Sequence, residues 1–315
     1  MKKRSLGNTG LEVSEVAFGG VEIGMPYGIG NTENPSEKDA IRLLQTSLDN
    51  GINFFDTARL YGNSEQIMGK AFTGRRHEVI LASKCRHFRD AGGALPPDAL
   101  LKPFIENSLH ESLEALQTDY IDVYMLHQAD LEILSRPLIA EAFAELKKKG
   151  VIRATGASVY TPEETATAIR SGQWDVIQLP FNLMNQSHGA CFEEAREKKV
   201  GVVVRSVLLK GLLSDRGKNL HPALREVEQY IDRYRQFTGG DYPDLPALAT
   251  RFVLSFPEVA SVLVGIDKME YLQDALVTAS YPDLGVNEHK QLLKLAYPDP
   301  DFLNLHHWDK MGWLK

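Results

Sequence analysis

"GINFFDTARLYGNSEQIMGKAF", residues 51–72, begins on a glycine that stops one helix and runs into an apolar stretch from Ile52 to Phe55. Aromatic and β-branched residues packed that closely read as a buried strand. The strand ends on a carboxylate, Asp56, with a phenol, Tyr61, one short turn further on. From Ser64 the apolar positions recur at helical spacing. The unit is strand, loop, helix.

The same beat continues on both sides. Before it, "VSEVAFGG" (13–20) reads as one strand ending in glycines, and "PSEKDAIRLLQTSLDNG" as a helix with Pro35 and Ser36 at its start and Gly51 at its stop. After it come "EVILASKC" with "LLKPFIENSLHESLEAL", then "YIDVYMLHQ" with "LIAEAFAELKKKG". The lysines closing that last helix suit its dipole. "VIRATGASV", "DVIQLPFN", "VGVVVRSVLL" and "VASVLVGI" supply four more strands, each followed by a helical pattern.

Eight such alternations predict an α/β fold, a single (β/α)8 TIM barrel spanning 1–315. A doubly wound sheet would be long at eight units, and no GxGxxG opens the first helix. The preface "KKRSLGNTGLEVS" carries Gly7-Asn8 and Thr9-Gly10 turn signals and predicts an N-terminal β-hairpin, residues 1–14, plugging the barrel's N-terminal mouth. Long segments at 22–35, 86–98 and 212–244 fall after strands, on the face where barrels carry their chemistry. The tail, 297–315, is expected near the active-site mouth at the opposite, C-terminal end.

Composition narrows the function. The 315 residues are 43% hydrophobic and 24% charged, with a net charge of -7, which argues against a nucleic-acid footprint. Neither HExxH nor CxxC occurs, so no metal site is expected. Cys85 and Cys191 lie far apart and suggest a reducing compartment rather than a disulfide framework. "MKKRSLGNTG" lacks the apolar core of a secretory signal, and no stretch approaches the ~18 apolar residues of a membrane span. A cytoplasmic protein with a small-molecule partner is expected. Composition gives no oligomeric state.

The strand tips carry the chemistry. The second strand ends at Asp56 with Tyr61 beyond, the third at Lys84, the fourth at His127. A barrel brings those tips together. A phenol titrates near ~10 in isolation, and an adjacent ammonium favours its ionised form. Asp56, Lys84 and Tyr61 therefore form a candidate proton donor, with His127 placed to bond the same substrate oxygen. Singly, such an Asp caps a turn, such a Tyr packs and such a Lys is solvated. Four in order on three consecutive strands favour function.

With these residues in view the chain resembles the aldo-keto reductases over essentially its whole length. "GINFFDTARLYGNSE", "ILASK" and "DVYMLHQ" are similar to that family's signatures on the second, third and fourth strands. The resemblance implies a catalytic tetrad of Asp56, Tyr61, Lys84 and His127, the tyrosine protonating a carbonyl oxygen as a nicotinamide delivers hydride. It also implies cofactor contacts from Gly20 and Val21 and from Asp56.

Further cofactor contacts follow in the same way. Ser158 and Gln178 match carboxamide-binding positions, although Val159 stands where the family usually has Asn. "RSVLLKGLL" is similar to the pyrophosphate-wrapping segment, implying contacts from Arg205, Ser206, Leu208 and Gly211. Arg205 replaces an aromatic residue; it can stack on a ring or turn toward a phosphate.

"VLVGIDKMEYLQDAL" is similar to the adenosine-binding segment and implies Gly265, Asp267 and Lys268. Lys268 is the single cation in that segment, and Tyr271 replaces a polar donor. NADP and NAD are both left open, with weak discrimination expected.

The expected activity interconverts an aldehyde or ketone with its alcohol, a sugar or other hydroxylated carbonyl among the candidates. His87, Arg89 and "NLHHWDK" in the tail are either polar substrate contacts or solvated loop residues. The alternatives are a non-catalytic nucleotide-binding regulatory subunit of the same fold and a barrel lyase using Lys84 as a Schiff base.

Overall fold

The computed structural model describes residues 1–30 and 33–314. Residues 31 and 32, inside the loop expected at 22–35, and residue 315 of the tail lie outside the described residues. The preface folds as an antiparallel hairpin of β1 (Lys3–Ser5) and β2 (Glu12–Ser14). The barrel follows: β3 (Val16–Gly19), β4 (Phe54–Asp56), β5 (Ile80–Lys84), β6 (Ile121–Leu126), β7 (Ile152–Ser158), β8 (Val176–Pro180), β9 (Gly201–Arg205) and β10 (Val259–Gly265). These strands pair in parallel in chain order, and β10 closes on β3.

Side chains alternate between the two faces of a strand. Phe54, Ala82, Val123, Met125, Val176 and Val203 form the interior cluster of the barrel. Phe55, Leu81, Tyr124 and Val204 point outward and pack with the surrounding helices. Two residues beyond an interior position the chain faces inward again. That parity places Asp56 after Phe54, Lys84 after Ala82, His127 after Met125, Gln178 after Val176 and Arg205 after Val203. The apolar alternation of the strands thus aims each polar tip at the barrel axis.

The hairpin closes the opposite end. Leu6, Leu11 and Val13 are buried within the same interior cluster. Two expected strands are shorter than the sequence suggests. The run 13–20 breaks at Glu15, a fully buried acid within reach of Arg4 at 3.4 Å, so β2 belongs to the hairpin and β3 to the barrel. The run from Ile52 joins the ladder only at Phe54. Before it, Asn53 spends its side chain on the hairpin, accepting from Ser14 N at 2.7 Å and donating to Glu12 O at 2.9 Å.

The long segment after β9 contains a helix, Arg225–Arg235, whose Val227, Ile231 and Tyr234 are buried at helical spacing. Tyr234 Oη donates to Leu183 O at 2.9 Å and anchors that helix beside the end of β8. The tail is also structured: Trp308, in the helix Leu305–Lys310, is fully buried.

Leu6→Ala should lower the unfolding free energy by about 2–5 kcal/mol, the cost of a cavity at a fully buried leucine. Urea unfolding measures it, and a loss below about 1 kcal/mol would mean that the hairpin is not a packed closure of the barrel.

Candidate active site

Asp56 is the hub. Its Oδ2 accepts from Lys84 Nζ at 2.6 Å and its Oδ1 from Gln178 Nε2 at 2.8 Å, all three groups being buried. Lys84 also donates to Thr57 O at 3.0 Å. Its ammonium lies 4.8 Å from the centre of the Tyr61 ring. The Tyr61 and His127 rings meet edge to face at 5.4 Å, and the His87 ring meets that of His127 at 4.7 Å. Gly24 faces the Tyr61 carbonyl at a distance that excludes any Cβ, so the short helix Val21–Gly24 packs directly on the loop carrying the phenol.

The electrostatics differ from the expectation that Lys84 lowers the phenol. Burial raises Tyr61 above its ordinary value, and the charge of Asp56 raises it further; Arg205 opposes. Lys84 lies closest to Asp56, and its charge is largely balanced there. Burial pushes Lys84 itself down while Asp56 pulls it back up. Burial also drives His127 down to about 2, with Lys84, His87 and Arg205 adding to the effect. Tyr61 and His127 are thus neutral at physiological pH. A neutral phenol is a hydrogen-bond and proton donor, as carbonyl reduction requires.

These groups open into a cleft of about 980 Å³ along the C-terminal rim. Gly20, Val21, Asp56, Tyr61, His127, Ser158 and Gln178 line it, as do Arg205, Ser206, Leu208, Gly211, Gly265 and Asp267. Lys84 lies beneath Asp56, fully buried. Lys268 borders an adjoining hollow, its ammonium 5.8 Å from the Tyr271 ring centre.

Arg205 stacks on a protein ring. Its guanidinium sits 4.4 Å from the centre of Tyr160, and Nη2 donates to Val159 O at 2.9 Å. The segment after it is contorted: Ser206, Leu209 and Lys210 all have positive φ, at 60°, 46° and 54°. Left-handed conformations at non-glycine residues are costly and collect at ligand clamps. Asn182 holds this segment, donating to Ser206 O at 3.2 Å.

Several lining residues were not singled out by the sequence: Glu22, Tyr27, Tyr160 and Arg216. Arg216 bridges three segments, donating to Ile29 O at 2.9 Å and to Tyr271 Oη at 3.5 Å. The end of the cleft near Tyr271 therefore carries a cation besides Lys268, from outside the segment in which Lys268 is the single one. Arg216 comes from the loop after β9, 55 residues from Tyr271, so no local spacing marks it. Arg89 is bound to Asp130 at 2.7 Å and Glu132 at 2.8 Å and does not line the cleft. The tail does line it, through Asn304, Leu305 and His306.

A closed parallel barrel with a buried acid–lysine pair, a phenol and an imidazole at its C-terminal rim defines a class of barrel oxidoreductase. Residues 15–297 match the Aldo/keto reductase family, and the chain belongs to it. It is 33% identical to the uncharacterized oxidoreductase YqkF of Bacillus subtilis, over 93% of this chain and 95% of that one. It is 30% identical to L-galactose dehydrogenase of Arabidopsis thaliana, over 86% of each chain. The holo form of an aldo-keto reductase from Bacillus halodurans superposes with a TM-score of 0.80 at 31% identity, over 94% of this chain and 96% of that one.

The neutral state of His127 has a consequence for stability. An unfolded histidine takes up its proton near pH ~6.5, whereas buried His127 resists protonation down to about 2. Between those values the unfolded state holds the extra proton, so stability is lost as pH falls. His127→Gln removes this contribution. From pH 6.5 to 5 the variant should lose about 1–2 kcal/mol less unfolding free energy than wild type. Identical losses in urea titrations at the two pH values would show that folded His127 accepts a proton freely.

Proposed function

We propose that the protein is an NAD(P)(H)-dependent reductase that interconverts an aldehyde or ketone and its alcohol, with Tyr61 as proton donor. The convergence of Asp56, Lys84, Tyr61 and His127 at one end of one cleft carries this reading. Family membership supports an oxidoreductase, and the intact tetrad argues against a purely regulatory nucleotide binder.

The cleft fits a long, polar, anionic cofactor. It runs from the tetrad past the contorted segment after β9 to a far end with Arg216, Asp267 and Tyr271. Ser158, Arg205, Ser206, Leu208 and Gly211 would hold the nicotinamide half and the diphosphate, and Gly20, Val21 and Gly265 would floor the cleft. Bound there, the nicotinamide supplies or accepts the hydride.

The protein's own groups handle the proton and the geometry. His127, neutral, hydrogen-bonds the carbonyl oxygen and orients it. Tyr61 Oη gives that oxygen its proton as charge develops on it. Lys84, pinned between Asp56 and Thr57 O, places positive charge beside the phenol and stabilises the phenolate left behind. Asp56 holds Lys84 in place, and Gln178 fixes the carboxylate from the other side.

The substrate end is polar. Asn185, Ser187, Asn304 and His306 are among the residues lining the cleft, which suits a hydroxylated carbonyl such as a sugar. L-Galactose dehydrogenase, among the relatives, is named for a sugar substrate. We read residues 1–315 as one catalytic domain acting on a small molecule in the cytoplasm. No helix among the described residues is long and apolar enough to cross a membrane.

Tyr61→Phe should cut turnover by about 10²–10⁴-fold or more while nicotinamide affinity stays close to wild type. Retention of most of the turnover would remove Tyr61 from the role of donor.

At the far end, Arg216 and Lys268 lie near Tyr271, and Asp267 lines the same stretch of the cleft, so discrimination between the cofactors should be modest. Arg216→Ala should weaken NADPH binding by about tenfold, near 1.4 kcal/mol, and NADH binding much less. Equal losses for the two cofactors would place Arg216 away from the 2′-phosphate.

A further inference from the structure

Glu22 stands where nothing in the reaction described above requires an acid. It lies in the turn of helix that follows β3, on the wall of the cleft between the tetrad and the adenosine end. The residue is half-buried as a whole, but its Oε2 is shut off from solvent and has no hydrogen-bond partner among the described residues. The carboxyl rests on the backbone of Gly265, where any Cβ would collide with Glu22 Oε1. Only a glycine at the tip of β10 leaves it room.

The groups facing it are mostly acidic. Asp56 at the tip of β4 and Asp267 just past β10 both act on it. The phenols of Tyr27 and Tyr61 lie within reach of its charge. The charge of Arg205 acts on both phenols in the opposite sense, and Lys210 lies 5.0 Å from the centre of the Tyr27 ring. A third carboxylate here would repel both its neighbours and an incoming diphosphate.

We infer that Glu22 is a cofactor-contacting residue that works as a protonated carboxyl, donating a hydrogen bond to the ribose–diphosphate stretch of the nicotinamide cofactor. The inference rests on the cofactor reading proposed above and extends it to a residue outside the tetrad. Three features support it. The residue lines a ligand-sized cleft, and a buried polar atom left unpaired is unfavourable until something pairs with it. The position lies between Asp56 and Asp267, where the middle of an extended dinucleotide would pass. Finally, burial raises Glu22 to about 8, with Asp267 and Asp56 adding to the effect and its own backbone N–H opposing it. A carboxyl kept neutral in this way is a donor rather than an acceptor.

The test is NADH binding to the full-length protein, followed by quenching of protein fluorescence at pH 6.5 and pH 9.5. NADH has no 2′-phosphate to titrate, so the slope belongs to the protein. For wild type, Kd should rise about tenfold or more across that range, as the donor is lost and a charge gained. Glu22→Gln keeps the shape and a permanent donor. Its Kd should stay within about threefold across the range and near the wild-type value at pH 6.5.

A second readout needs no variant. Calorimetry of wild type at pH 8.5, in buffers of different ionisation enthalpy, should show net proton uptake of up to about one per NADH bound. A flat wild-type profile, the same slope in Glu22→Gln, or no proton uptake would each overturn the role of Glu22 while leaving the cofactor reading intact. Failure of NADH and NADPH alike to bind at pH 6.5 would overturn the cofactor reading and this inference with it.

Discussion

The contact between Asp56 and Lys84 sets the terms for the rest of the site. A lysine with no exposed surface must be paired, because an isolated ammonium in the interior would lose its proton or unfold its surroundings. Asp56 supplies the opposite charge at 2.6 Å, and Gln178 and Thr57 O fill the remaining bonds. A buried pair satisfied in this way is fixed in direction as well as in charge. The cost of burying it is met by the barrel, whose short apolar strands bring β4, β5 and β8 to one rim. Removing either partner would strand the other, so the pair and the fold depend on each other.

The same pair explains why the phenol stays neutral. Lys84 is close enough to Tyr61 to matter, yet its charge is balanced by Asp56, and burial dominates the ring. The site is thereby poised to give a proton rather than to take one. Arg205 is consistent with this arrangement. It sits where the family usually has an aromatic residue, and stacks its planar cation on Tyr160. Were the nicotinamide to bind beside it as proposed, that positive charge would favour the neutral, reduced ring over the cationic, oxidised one.

Much of this was legible in the sequence, for a physical reason. Barrel strands buried on both faces appear as apolar runs, and inward parity is a period of two, so Asp56, Lys84 and His127 could be placed from the strands alone. The boundaries at Glu15 and Asn53 could not, since both depend on side chains bonded to distant parts of the chain, Arg4 and Ser14. Arg216 and Glu22 were missed for a similar reason. Each gains its meaning from a partner remote in sequence, Tyr271 for one and Gly265 for the other. The helix Arg225–Arg235 carried a periodic signal, but it lay within a stretch read as an insertion. Nor could the direction in which Tyr61 shifts be read from residue types, because it turns on burial rather than on which charges are present.

The central claim is that this rim transfers a hydride to a carbonyl carbon while Tyr61 protonates the oxygen. Its most direct measurement is the fate of a label. The protein would be given nicotinamide cofactor deuterated at the transferring carbon, with a panel of aldehydes, ketones and sugars, and the products analysed by mass spectrometry. The account predicts one deuterium at the former carbonyl carbon for each cofactor oxidised, and no label washed out to solvent. Cofactor that binds but leaves every carbonyl in the panel unlabelled would contradict it.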